Sequence, residues 1–145
     1  MEKKPKKPTR TSIIKKLDTV FSIYIRRRYA VNDISKCVTC GKQDHWKSLQ
    51  CGHFMSRKHL STRWNEDNCQ VQCSGCNVFR YGEQYLFSQY LGDKLAEELH
   101  IKSKETCKFT DVELQELIEH YTQLNSLFWF LFYNLVNVKL GYFKR

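Results

Sequence analysis

The chain has 145 residues, a mass of 17.4 kDa and a formal net charge of +9, which leaves room for one domain with an ordinary core and an extension. Its seven cysteines include two C-x-x-C pairs, and we see no secretory signal at its start, which argues against a disulfide framework and for a reducing, cytoplasmic location. Residues 1–28 carry ten Lys or Arg against two acidic residues, which favours a polyanionic partner over the alternative of a solvated tail.

The amino-terminal segment is predicted to be a basic arm followed by an amphipathic helix. Residues 1–11 contain two prolines and no apolar residue after the first position, so we expect them to be disordered. Thr11 or Ser12 could cap a helix that ends near residues 31–33. Six positions recur at helical spacing: Ile13, Leu17, Val20, Phe21, Tyr24 and Arg28. Four basic residues between them are predicted to contact nucleic-acid phosphates: Lys15, Lys16, Arg26 and Arg27.

The middle of the chain is predicted to consist of short strands, loops and a helix. Residues 36–64 contain SLQCGHFMS, a pattern typical of a strand that enters and leaves a turn. Residues 65–92 are predicted to run through a loop into a helix, with an interruption at Gly82 and an end at Gly92. We therefore expect an α+β fold.

The carboxy-terminal part is predicted to be helical and to end in an aromatic segment. Helices are expected over residues 93–100 and 111–121, and TDVE at 110–113 fits a capping box. Residues 122–145 are predicted to form an aromatic helix or tail. Its uninterrupted apolar run covers only 127–133, whereas a membrane span needs about 18–20 mostly apolar residues. We expect a buried or partner-packed helix, a possible homodimer and no membrane contact.

Four of the cysteines have the spacing of a structural zinc site. Two residues between the cysteines of a pair let a tight turn direct both sulfurs toward one ion. The second pair begins 33 positions after the first pair ends. The predicted zinc ligands are Cys37, Cys40, Cys73 and Cys76. Cys51 and Cys69 are alternatives for a ligand position, and unconnected thiols or a redox pair are the alternative to metal binding. Because four sulfurs leave no position for water, this Zn²⁺ would hold the fold and any chemistry would lie elsewhere.

A His-Asn-Asn order lies between and beside the cysteine pairs. His53 is followed by Asn68 fifteen positions later and by Asn77 nine positions after that. This order resembles the HNH, or ββα-metal, nuclease motif. The resemblance implies that His53 is the general base, that Asn68 braces it from the loop and that Asn77 holds a catalytic divalent cation. Each residue alone has an ordinary structural explanation, so the signal lies in the three together.

The cation ligands depart from that motif at one position. Many such nucleases have an Asp or another ligand directly before the general-base His, whereas this chain has Gly52. Glu66 or Asp67 could supply the missing carboxylate, and we favour Asp67. A cation held by Asn77 and waters is the alternative. Oxygen ligands of these kinds predict Mg²⁺ or Mn²⁺.

Four further basic residues surround the proposed centre: Arg57, Lys58, Arg63 and Arg80. A guanidinium group can grip a phosphate through two parallel hydrogen bonds, so these residues are predicted to bind DNA phosphates. The alternative for each of them is solvated surface charge.

Longer stretches of the sequence resemble one phage family. CVTCGK, LQCGHFMSR, TRWNEDNCQVQCSGCN and YGEQYLFSQYLG look like the NinG, or Rap, family of lambdoid phage recombination proteins. The cysteine pairs with an Asn after the last one also resemble phage endonuclease VII, a Holliday-junction resolving enzyme. The resemblance implies a zinc-stapled HNH domain with flanking helices over residues 12–121, which cuts Holliday junctions and D-loops by metal-dependent hydrolysis. The alternative is a non-catalytic zinc-containing DNA-binding module or recombination adaptor.

Overall fold

The fold combines helices with two small antiparallel hairpins. The computed structural model describes residues 7–141, without the side chains of residue 129 and residues 131–141. The helices are α1 (Arg10–Arg27), α2 (Leu60–Arg63), α3 (Gln84–Leu91), α4 (Asp93–Ser103) and α5 (Asp111–Gly141). The strands are β1 (Ile34–Lys36), β2 (Gln43–His45), β3 (Gln50–His53) and β4 (Cys69–Gln72). This mixture of helices and small sheets agrees with the predicted α+β class.

Helix α1 begins earlier than the sequence predicted. Thr9, rather than Thr11 or Ser12, is the capping residue, because its Oγ1 accepts a hydrogen bond from Ser12 N at 3.3 Å. This hydrogen bond satisfies one of the amides that the first helical turn leaves without a partner. Residues 1–6 of the predicted basic arm, residues 1–11, lie outside the described residues, whereas Arg10 and Thr11 belong to α1 and not to a disordered segment.

The end of α1 also differs from the predicted end near residues 31–33. The helix stops at Arg27, and the chain then reverses at Asn32 and Asp33, whose φ angles are 50° and 61°. Asn and Asp tolerate this left-handed conformation better than most residues. Trp46 Nε1 donates to Asp33 Oδ1 at 3.1 Å and fixes the reversal.

The main core lies between α1 and α5. The buried apolar side chains of α1 are Ile13, Leu17, Phe21 and Ile25. Those of α5 are Leu114, Ile118 and Tyr121, and Trp64 and Cys69 complete the cluster. Burying one large apolar side chain stabilises a fold by about 1.5–3 kcal/mol, so this helix pair is the main source of stability outside the cysteine cluster. Ile25 was not among the predicted helical positions, whereas Val20 and Tyr24 are only half-buried.

Helix α5 runs without a break into the predicted aromatic tail, residues 122–145. Asn125 Nδ2 donates to Val20 O at 2.9 Å, and the ring of Phe128 stacks on Tyr24 with centroids 6.1 Å apart. The beginning of the segment therefore packs on α1 as part of the core. Residues 142–145 and the side chains of 131–141 lie outside the described part of the chain.

Two hairpins carry the short strands. β1 pairs with β2, and β3 pairs with β4 with His53 opposite Cys69 and Gln50 opposite Gln72. The strand expected in SLQCGHFMS is confirmed as β3. β4 is a correction, because its residues were predicted to lie in a loop. Its glutamines look polar in the sequence, yet Gln70 and Gln72 are both buried in the structure.

The carboxy-terminal helices agree with their predicted signals. Gly92, with φ of +79°, ends α3, and α4 begins at the next residue. The capping box is confirmed: Thr110 N donates to Glu113 Oε2 at 2.6 Å, and Glu113 N donates to Thr110 Oγ1 at 3.2 Å. Over the residues that the structure describes, no helix combines the length and apolar character that a membrane crossing requires.

Candidate functional site

The four predicted zinc ligands converge beyond the end of β4, and we call this group the zinc clip: Cys37, Cys40, Cys73 and Cys76. Their Sγ atoms all lie within 4.8 Å of one another, and those of Cys40 and Cys73 are 3.7 Å apart. Four sulfurs placed tetrahedrally at about 2.3 Å from a zinc ion would be about 3.8 Å apart, so the donor set fits Zn²⁺. Cys51 and Cys69 belong to a separate group and do not replace a clip ligand.

Backbone hydrogen bonds shape the two turns of the zinc clip. Gly41 N donates to Cys37 O at 2.9 Å, and Gly41 has a φ of +76° that suits glycine. In the second turn, Asn77 N donates to Cys73 O at 2.9 Å. The clip therefore fixes the backbone of Asn77 directly.

The environment of the clip sulfurs separates their pKa values. Burial would raise the pKa of the Cys37 thiol, but hydrogen bonds from the Thr39 hydroxyl and from backbone amides outweigh burial and lower it to about 6. Burial raises the pKa of Cys76 to about 12. Arg80 donates to Cys76 Sγ at 2.9 Å and also pairs with Glu83. A bound cation would stabilise all four groups as thiolates, because it supplies the positive charge that a buried thiolate lacks.

A polar cleft of about 380 Å³ opens between the β3–β4 hairpin and the segment that follows the clip. Residues Gly75–Phe79 form a single wide helical turn, which carries Asn77. The cleft lining includes His53, Arg57, Asn77 and Tyr81. The structure thus brings the first and last members of the His-Asn-Asn order to one cleft.

His53 lies at the end of β3 with one ring nitrogen held in place. His53 Nε2 is 3.1 Å from the carbonyl oxygen of Arg63. Because a carbonyl can only accept, Nε2 carries the proton in the neutral ring and Nδ1 carries the lone pair. Burial lowers the pKa of His53 below its ordinary value, and the hydrogen bond to Arg63 O opposes that shift only in part. The ring is therefore neutral near pH 7 and chemically able to accept a proton.

Two glutamines support Asn77 and fill the space beside Gly52. Asn77 Nδ2 donates to Gln50 Oε1 at 2.7 Å, which leaves Asn77 Oδ1 as the end available to a ligand. A Cβ atom on Gly52 would lie 2.7 Å from Gln72 Cδ and even closer to its Oε1, so no aspartate fits there. Gln72 Nε2 donates to Gly82 O at 2.8 Å, whereas Gln72 Oε1 is buried with no hydrogen-bond partner in the described residues.

Asn68 braces the loop between β3 and β4 from a fully buried position. Its Oδ1 accepts from Met55 N at 2.6 Å, and its Nδ2 donates to Met55 O at 2.9 Å and Thr62 O at 3.0 Å. These bonds fix the chain just before Arg63, whose carbonyl holds the ring of His53. Asn68 is therefore placed to support His53 through the loop rather than by a direct contact.

The two acidic residues considered for the catalytic cation are not in the cleft lining. Glu66 accepts hydrogen bonds from the hydroxyls of Tyr24 and Tyr121 at 2.9 and 3.2 Å and pairs with Arg28, so it faces the α1–α5 core. Asp67 is exposed in the turn before β4. The structure does not bring either carboxylate together with Asn77.

A family model described as the bacteriophage lambda NinG protein matches residues 1–127, which is most of the chain. The chain belongs to the NinG family. This confirms the NinG resemblance of the sequence motifs, and membership indicates a role related to phage recombination. No curated protein and no solved structure gives a significant match.

In this NinG-family chain, Lys15, Lys16, Arg57 and Lys58 are exposed, and so is Arg80 among the other four predicted DNA-binding residues. The other four have side-chain partners within the fold: Arg26, Arg27, Arg63 and Arg80. Arg27 is buried and donates to Asn125 O, while Arg63 forms two hydrogen bonds with the Asp18 carboxylate. Arg26 donates to three backbone carbonyls and lies over the Trp46 ring. These four arginines have partners within the fold, so Lys15, Lys16, Arg57 and Lys58 are the better candidates for phosphate contacts.

The NinG-family motifs did not reveal three residues around the cleft. Gln50 and Gln72 were missed because they lie opposite each other on paired strands, a relation that the sequence does not display. Tyr81 lines the cleft and is 89% exposed, with a left-handed φ of 52°. The neighbouring Gly82 predicted an interruption of the helix here, but nothing in the sequence predicted that the ring of Tyr81 would be exposed at the edge of the cleft.

Proposed function

We propose that this chain is a metal-dependent, structure-selective endonuclease that hydrolyses phosphodiester bonds in branched DNA. One observation carries the proposal: His53 and Asn77 line a single cleft, on a β-hairpin and on the helical turn that follows it. This order of two strands and a helical turn supports an HNH, or ββα-metal, core held by the zinc clip. Family membership supports a recombination substrate.

His53 would be the general base, acting through Nδ1. With Nε2 held by the Arg63 carbonyl, Nδ1 can take a proton from a water molecule that lies against the scissile phosphate. The water oxygen then bonds to phosphorus as the bond to the leaving oxygen breaks, and the leaving oxygen takes a proton from solvent. Asn68 would be a positioning residue, because it keeps the loop that orients the imidazole.

Asn77 Oδ1 would hold the catalytic Mg²⁺ or Mn²⁺, and Gln72 Oε1 is the second oxygen that we propose for it. Gln72 Oε1 is buried with no hydrogen-bond partner among the residues described, and it fills the space beside Gly52, where many HNH enzymes have an acidic ligand. When bound, the cation supplies positive charge that stabilises the charge developing on the phosphate. Since amide oxygens are neutral, we expect most of the remaining ligands to be waters and DNA phosphate oxygens.

Exposed side chains around the cleft support branched DNA as the substrate. Arg57 lines the cleft, and Lys58 follows it on the same exposed loop. Asp18 on α1 pairs with Arg63. Lys15 lies one helical turn before Asp18, so the exposed ammonium group of Lys15 lies on the same side of α1 as Asp18. The exposed ring of Tyr81 offers a stacking surface for an unpaired base, which a branch point provides and a continuous duplex does not.

The experiment that tests this function compares labelled linear duplex with four-way DNA. With Mg²⁺ or Mn²⁺ present, we expect the purified chain to cut the four-way DNA and to spare the linear duplex. Binding to both DNAs without any cutting would instead support the alternative, a zinc-containing DNA-binding module or recombination adaptor. Equal cutting of the four-way DNA and the linear duplex would show that the chain is a general nuclease without a preference for branched DNA.

Removing two cations beside the cleft is expected to lower the salt dependence of DNA binding. Each phosphate contact contributes about 0.9 to the slope of log affinity against log salt, so Arg57→Gln with Lys58→Gln should reduce the slope by about 2. Lys94→Gln with Lys102→Gln removes two exposed charges from α4, outside the cleft lining, and should leave the slope unchanged. Fluorescence anisotropy over a salt series measures both double variants. If both double variants gave the same slope of log affinity against log salt, Arg57 and Lys58 would not contact DNA phosphates.

A homodimer would suit a two-fold junction, and α5 offers a surface for it. Leu127 and Phe130 are 54% and 66% exposed on this helix. If these side chains pack against a second copy, Leu127→Ser with Phe130→Ser should halve the mass measured by light scattering. A wild-type chain that is already a monomer at the same concentration would exclude the dimer.

A further inference from the structure

A second cluster of metal-binding side chains lies on the β3–β4 hairpin, apart from the zinc clip. Ligand atoms of Cys51, His53 and Cys69 all lie within 4.8 Å of one another. We propose that these three side chains bind a thiophilic divalent cation such as Zn²⁺, and that this cation switches off the general base. The binding site stands on the geometry of the hairpin, whereas its effect on cutting rests on the proposed nuclease function.

The strand register explains why the three ligands meet. His53 lies directly opposite Cys69, and Cys51 lies two positions before His53 on the same strand. Side chains two positions apart on a strand share a face, and directly opposed residues on paired strands share it too. The hairpin therefore presents one imidazole and two thiols on one face, and the hydrogen bonds between the strands hold their spacing.

The donor set suits a borderline-soft ion with one open position. Two sulfurs and one imidazole nitrogen are common zinc ligands, and three protein ligands leave a fourth site for water or substrate. Cys51 and His53 also line the cleft, so that fourth position is on the cleft side. A metal-binding His usually donates its other ring N–H to a carbonyl or carboxylate, as His53 Nε2 does to Arg63 O. His53 Nδ1 is therefore the nitrogen available to the ion.

The protonation of the thiols explains what the ion would add. Burial and the neighbouring Cys51 thiol raise the pKa of Cys69 well above its ordinary value. Without a cation the buried sulfur is a neutral thiol, and its S–H donates to Arg63 O at 3.6 Å. Binding of Zn²⁺ would displace the thiol protons to solvent and provide the positive charge that a buried thiolate needs.

Occupation of this site would interfere with the proposed hydrolysis. The ion would bind His53 Nδ1, the same nitrogen that must take the proton from water. Zn²⁺ beyond the amount that fills the clip should therefore inhibit Mg²⁺-dependent cutting, and its removal by a weak chelator should restore cutting.

Native mass spectrometry of the full chain in the presence of Zn²⁺ tests the site without any measurement of activity. We expect two zinc ions on the wild type and on Cys107→Ser, because Cys107 belongs to neither sulfur group. Cys51→Ser should hold one ion, and because Cys51 is half-buried its replacement disturbs the core less than replacement of the buried Cys69. A wild type with one ion, or a Cys51→Ser chain with two, would overturn the proposal.

Cadmium-113 NMR of the cadmium-exchanged chain distinguishes the two sites by their ligands. The wild type should give one resonance for four sulfurs and a second for two sulfurs and a nitrogen, and Cys51→Ser should lose the second alone. A single wild-type resonance would overturn the site. A chain that binds the second ion but never cuts DNA would disprove the nuclease activity and support the second metal site. A chain that cuts DNA but binds only the clip ion would support the nuclease activity and disprove the second metal site.

Discussion

His53→Ala is expected to abolish metal-dependent cutting of four-way DNA while DNA binding persists. The substitution removes Nδ1, the proposed proton acceptor, and the hydrogen bond from Nε2 to Arg63 O. A positioned general base contributes about 10²–10⁴-fold to a rate, so the single-turnover rate should fall by at least about a hundredfold. The measurement pairs that rate with the DNA affinity of the same preparation.

The matched control for this experiment is His100→Ala, which removes an exposed imidazole on α4 outside the cleft lining. Its cutting rate should equal that of the wild type. Thermal melting of both variants separates a lost base from a lost fold, because His53→Ala should still melt cooperatively. A His53→Ala chain that cuts at the wild-type rate would disprove the assignment of the base.

The pH dependence of the cutting rate should also test whether His53 is the general base. Because burial lowers the pKa of His53 below its ordinary value of about 6.5, the neutral and basic form persists into mildly acidic solution. The cutting rate should therefore rise with pH through this lowered pKa, with its midpoint below pH 6.5. A rate that still rises steeply above about pH 7 would indicate a different titrating group.

The parts of the site that the sequence predicted depend on local spacing. Two residues between Cys73 and Cys76 specify a tight turn, and Asn77 is the residue directly after the last ligand. The sequence alone therefore predicted both the zinc ligands and the position of Asn77 beside them. His53 could be predicted because a strand pattern surrounds it. The family match over residues 1–127 covers all of these positions.

The parts that the sequence did not predict depend on pairing over long distances. Gly52 looked like a missing ligand, but the register of β3 and β4 sets Gln72 against it, so the side chain of one strand fills the space left by the other. Arg63 looked like a DNA contact until α1 brought Asp18 to it. Tertiary partners decide whether a charged or polar side chain serves the fold or the surface, and residue type alone does not name those partners.

Cys73→Ser is expected to unfold the region that carries the cleft. Apart from three clip cysteines, the buried cluster around the clip contains only Leu49 and Val71 among the described residues, so sulfur–metal bonds would have to replace an apolar core there. A structural zinc site contributes about 10–16 kcal/mol at pH 7, which equals the whole stability of a typical domain. Circular dichroism melting should show loss of the cooperative transition, and a zinc-sensitive dye should report no tightly held ion.

Cys107→Ser is the matched control, because it removes a thiol that belongs to neither sulfur group and should change the free energy of unfolding by less than about 0.5 kcal/mol. Strong chelation of the wild type should reproduce the Cys73→Ser melt, and added Zn²⁺ should rescue the wild type alone. A Cys73→Ser chain that melts at the wild-type temperature would disprove the structural role of the ion. Because Asn77 N donates to Cys73 O, loss of the clip also displaces the proposed cation ligand. Cys73→Ser and His53→Ala should thus both stop cutting, but only Cys73→Ser should do so by unfolding the site.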